Sequence, residues 1–75
     1  MPHIIVKMYP GRTEDKKKRL AAAITKDVVE VLGCSEEVVS VAIGEVTQER
    51  WDEEVYRPDI LGRREILYKE PGRPC

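Results

Sequence analysis

The chain has 75 residues, with 13 basic and 14 acidic side chains and a formal charge of −1. That leaves room for one small domain and gives no net field to draw nucleic acid. Leu, Ile and Val fill 19 of the 75 positions, enough to fold, but there is no Phe and only four residues are aromatic, so the core is thin and needs a supplement. A disulfide is a poor candidate, because Cys75 is the last residue and would tie only a tail to Cys34. A metal is no better: a single histidine, His3, without Cys-x-x-Cys spacing does not make a zinc site. No apolar run approaches the roughly 18 residues of a membrane span and no signal-peptide order opens the chain, so a cytoplasmic setting is expected. Subunit contacts are left as the supplement.

From Pro2 the sequence alternates, with Pro2, Ile4, Val6 and Met8 on one face and His3, Ile5, Lys7 and Tyr9 on the other. This predicts a strand, and its first position tolerates the missing N–H of Pro2. Pro10-Gly11 breaks it. Thr13 is a candidate N-cap, with Glu14 and Asp15 in the first turn of a helix of about 20 residues that Gly33 ends. The expected apolar stripe of that helix is Leu20, Ile24, Val28, Val31 and Leu32, widened by Ala21 and Ala23. Ser35-Glu36-Glu37 reads as a capped single turn, and Val39 to Val46 as a second strand with Val39, Val41 and Ile43 alternating with Ser40, Ala42 and Gly44. Two strands joined by a helix predict a right-handed crossover and parallel pairing, a β-α-β unit. After Thr47 the pattern predicts a polar turn around Trp51, a break at Pro58, and a short helix containing Ile60, Leu61, Leu67 and Tyr68 that stops before Pro71-Gly72. The fold class is therefore α/β, in one domain over residues 1–75. A two-stranded sheet has an uncovered face, here carrying Ala42, Gly44 and Val46, which predicts a meeting with another subunit.

Two features invite chemistry. Lys16-Lys17-Lys18-Arg19 is a basic run, but four successive helical positions point all round the axis, and Glu14 and Asp15 stand at i,i+4 spacing to Lys18 and Arg19. A solvated helix face is the expected reading, with no nucleic-acid partner. Pro2 is different, because an initiator Met before a proline is commonly removed, leaving a secondary amine. In apolar surroundings the pKa of such an amine falls, and a base near the operating pH suits proton abstraction.

Pro2-His3-Ile4-Ile5-Val6, the turn Gly11-Arg12-Thr13 before the long helix, and Val39 to Val46 followed by Trp51 resemble the 4-oxalocrotonate tautomerase family across nearly the whole chain. The stretch Trp51…Val55-Tyr56-Arg57-Pro58…Leu67-Tyr68-Lys69-Glu70-Pro71-Gly72 is similar to the longer, phenylpyruvate-tautomerase-type branch. The resemblance implies that Pro2 is the catalytic base, that Arg12 binds a substrate carboxylate, and that Trp51 helps wall the pocket and keep the amine pKa low. It implies no cofactor, a small carboxylate substrate, and a homo-oligomer, since dimers and hexamers both occur in the family. The longer C-terminal segment favours the dimer.

One position departs from the pattern. The best-known members carry a second arginine in the second strand, supplied to a neighbouring subunit's site, where this chain has Ser40. The developing enolate oxygen then needs Ser40 itself, a backbone N–H, or an arginine such as Arg63 or Arg64, and a dicarboxylate substrate is disfavoured. His3, on the face opposite Pro2, is expected to be structural. The expected activity is keto–enol tautomerisation of a 2-hydroxy-2-alkenoate or an aryl enolpyruvate. The alternatives are a related dehalogenase or decarboxylase, for which no water-activating carboxylate stands out among the acids, and a non-catalytic oligomeric binding module.

Overall fold

The computed structural model describes residues 1–72, and the expectation about Cys75 lies outside the described residues. Its elements fall into two compact units, Met1–Glu45 and a second beginning at Val46.

The first unit is the expected β-α-β. Strand β1 (His3–Met8) pairs in parallel with β2 (Ser40–Glu45), in a register that sets His3 opposite Ser40 and Met8 opposite Glu45. Helix α1 (Glu14–Leu32) connects them. Its ends form as the local sequence dictates. The Thr13 hydroxyl accepts the Lys16 N–H at 3.2 Å, and Gly33 turns left-handed at φ 71° so that its N–H reaches the Val29 carbonyl at 2.9 Å. Ser35 likewise caps a 3-10 turn over Glu36–Val38.

Alternation divides the sheet into two faces. Ile4, Val6, Met8, Val41 and Ile43 are half-buried on the helix side, whereas His3, Ile5, Lys7, Ser40, Ala42 and Gly44 are exposed on the other. Val46, expected on that open face, lies beyond the end of β2 and is half-buried. Helix α1 differs from expectation in the phase of its stripe. The half-buried positions are Lys17, Ala21, Ile24, Thr25, Val28 and Val29, while Leu32 is 64% and Val31 80% exposed. Thr25, on that half-buried face, spends its hydroxyl on the Ala21 carbonyl at 2.8 Å. The basic run is also anchored. Lys17 reaches Glu45 at 2.8 Å and Glu14 at 3.7 Å, and Arg19 pairs with Asp15 at 3.7 Å, while Lys16 and Lys18 are exposed.

The second unit corrects the expected turn-and-break pattern. Residues around Trp51 are helical, not a polar turn: α2 (Gln48–Trp51) runs directly into a π-helical segment, Asp52–Ile60, that passes through Pro58. Proline cannot donate to the carbonyl four residues back and its ring collides with it, and widening the turn relieves both problems. The wide turn also sets Arg57 five residues from Asp52 on one side, with Arg57 Nε donating to Asp52 Oδ2 at 2.5 Å. A 3-10 segment, Leu61–Ile66, follows with a kink at Arg63. Leu67 and Tyr68, expected inside a helix, lie past its end. Val55, in this unit, is the one buried hydrophobic residue among those described. The β-α-β unit has none, so its apolar side chains are all partly wet.

Candidate active site

Parallel pairing brings the start of β1 and the start of β2 to one end of the sheet. Pro2 immediately precedes β1 and is half-buried, and its carbonyl accepts the Ser40 backbone N–H at 3.1 Å. His3 and Ser40, cross-strand partners on the open face, are joined side chain to side chain, His3 Nδ1 to Ser40 Oγ at 2.6 Å. Pro2, His3 and Ser40 thus form one cluster. The sequence expectation puts Ser40 in the site and His3 in a structural role; the pairing offset, which neither strand reveals alone, sets the two side by side.

Arg12 lies at the other end. It follows Gly11, whose φ of 119° turns the chain after β1, and it precedes the Thr13 cap of α1. The ion pair from Lys17, in the first turns of α1, to Glu45, the last residue of β2, fixes that end of the helix beside the C-terminal ends of both strands. Six residue steps separate Pro2 from Met8, about 20 Å of extended strand. Within one chain the structure therefore holds Pro2 and Arg12 apart. Trp51 closes α2 in the second unit and is half-buried, and Arg63 and Arg64 are exposed on the 3-10 segment.

Two parallel strands crossed by one long helix define a small β-α-β scaffold, and comparison with known proteins gives its family. Residues 2–54 match the family described as Tautomerase enzyme. Across 96% of its length the chain is 43% identical to a probable tautomerase of Xylella fastidiosa, covering 88% of that protein. It is 40% identical to tautomerase PptA of Pectobacterium atrosepticum, again over 96% of each chain. Among solved structures it is similar to TomN, a 4-oxalocrotonate tautomerase homologue in the tomaymycin biosynthetic pathway, with a TM-score of 0.65 and 36% identity over 67% of this chain and 77% of the other. It is similar also to YwhB, another 4-oxalocrotonate tautomerase homologue, with a TM-score of 0.61 and 40% identity over 63% and 77%. The chain belongs to the tautomerase family, in its 4-oxalocrotonate tautomerase group, and is an enzyme of the isomerase class. Among the described residues no helix is long and apolar enough to cross a membrane.

Proposed function

We propose that this enzyme interconverts the enol and keto forms of a 2-hydroxy-2-alkenoate or an aryl enolpyruvate, with the amine of Pro2 as base after Met1 is removed. Arg12 holds the substrate carboxylate through a planar, bidentate guanidinium. The Ser40 hydroxyl meets the oxygen that gains charge, and Trp51 supplies an apolar wall. The neutral amine takes the enol O–H proton; the O–H electron pair becomes the carbonyl π bond, and the former C=C pair takes the proton back from the pyrrolidinium at the adjacent carbon. One group acts as base and then as acid.

The observation that carries this reading is Pro2 itself, half-buried at the strand start and bonded through its carbonyl to Ser40, in a chain whose family match begins at that residue. Because Arg12 follows the far end of a strand about 20 Å long, the site joins Pro2 of one copy to Arg12 of another, and the protein works as a homo-oligomer, with a dimer sufficing. The exposed open face of the sheet, with Ile5 60% accessible, is the surface where a second copy would complete the thin core. To test the base, phenylenolpyruvate ketonisation is assayed with processed and Met-retaining protein, their N-termini read by intact mass. Activity confined to the processed form is expected; equal rates would reduce Pro2 to the start of a strand.

A further inference from the structure

The His3–Ser40 bond does more than tie two strands, and we infer that His3 is a positioning residue that aims the Ser40 hydroxyl at the substrate oxygen. This rests on the reading that Ser40 faces the reacting oxygen. A lone serine is a poor substitute for a cationic donor. It is neutral and short, and its O–H rotates among three staggered wells, only one of which points at any given acceptor. An imidazole N–H removes the second weakness and eases the first. When Nδ1–H donates to Oγ, it occupies one acceptor position of the hydroxyl, so the serine's own hydrogen is directed elsewhere. Donation also polarises the O–H and strengthens the bond it makes next.

The geometry meets these needs. The Nδ1–Oγ distance is 2.6 Å, the two residues are direct register partners, and both side chains are exposed at the starts of their strands, at the end of the sheet that carries Pro2. The backbone bond from Ser40 N–H to the Pro2 carbonyl, 3.1 Å, fixes this hydroxyl relative to the residue that carries the base. His3, Ser40 and Pro2 therefore move as one rigid strand end. The chain from Nδ1–H through Oγ–H to the substrate oxygen delivers hydrogen-bond donation as negative charge develops, with no proton leaving the imidazole.

The test is a double-mutant cycle in processed enzyme, with kcat, KM and melting temperature measured for each variant on phenylenolpyruvate. Ser40→Ala and His3→Leu should each lower kcat about tenfold or more, with KM little changed. His3→Leu should cost nothing further in the Ser40→Ala background, because its effect passes through the hydroxyl. An asparagine amide overlays Nδ1 and a glutamine amide overlays Nε2, so His3→Asn should recover most of the loss and His3→Gln should not. A normal kcat in folded His3→Leu, multiplying losses in the double variant, or equal rescue by Asn and Gln would overturn the assignment. Full activity in Ser40→Ala, with Met-retaining protein inactive, would also remove the pair while leaving Pro2 as base. Equal rates with and without Met1 would bring down the Pro2 reading and this assignment with it.

Discussion

A site shared between two copies predicts that two defective chains restore each other. Arg12→Ala keeps a competent amine and lacks the guanidinium; Pro2→Leu, whose bulky second residue retains Met1, keeps the guanidinium and has a blocked amine. Since Arg12 follows the far end of a strand that starts at Pro2, about 20 Å away, no side-chain rotation brings the pair together within one chain. Subunits mixed in equal amounts, unfolded and refolded together assort at random, and about one quarter of the sites then draw an intact amine from one variant and an intact guanidinium from the other. Removing Arg12 costs about 2–3 kcal/mol of charge-assisted hydrogen bonding, so Arg12→Ala alone retains only a few per cent of kcat/KM. The mixture should therefore run several-fold above either parent in the phenylenolpyruvate assay, approaching about one quarter of the wild-type rate. Mass spectrometry of the intact oligomer establishes that hybrids have formed. A hybrid population whose rate is only the mean of its parents would put both groups in one chain and refute the reasoning.

Arg12→Ala by itself should raise KM for carboxylate substrates and leave the melting temperature almost unchanged, as steady-state kinetics and thermal melts will show. Gly33→Ala forces an alanine to φ 71° and should cost about 1–2 kcal/mol, whereas Thr13→Ala removes the cap on Lys16 N–H and should cost about 1 kcal/mol, both read by urea unfolding. The hydrogen bond to Glu45, aided by the charges of Glu45 and Glu14 and opposed by burial, raises the Lys17 ammonium above its ordinary lysine value. A raised folded-state pKa stabilises fully below the ordinary value and ceases to do so as pH rises through the raised one. Wild type should accordingly out-melt Lys17→Met at neutral pH and lose that advantage in strongly alkaline solution; a gap independent of pH would mean the ion pair is not its source.

Local rules made the β-α-β unit legible. Thr13 and Gly33 bracket α1 because caps are chosen by neighbours in sequence, and the two-residue period of His3–Met8 and Ser40–Glu45 sorts their faces without reference to anything distant. The stripe of α1 is less legible, because counting apolar residues favours Leu20, Val31 and Leu32, whereas the half-buried face runs through Lys17, Ala21 and Thr25. An α-helix would stop at Pro58, as the sequence predicts, and a wider turn evades that rule. For the proposed site the resemblance supplies Pro2, Arg12, Ser40 and Trp51, while the His3–Ser40 bond depends on a pairing offset that a helical crossover leaves free.

The π-helical stretch has a consequence for everything after it. An α-helix turns about 100° per residue, whereas the i→i+5 pattern turns roughly 80°. Over the nine residues Asp52–Ile60 the phase lag accumulates to roughly half a revolution. Leu61 thus emerges on nearly the opposite azimuth from the one a helical wheel drawn from Gln48 assigns it, and the kink at Arg63 redirects the chain after it. Pro58 acts as a phase setter: with alanine there, the segment is free to rewind and to turn Leu61 and the chain after it round the axis.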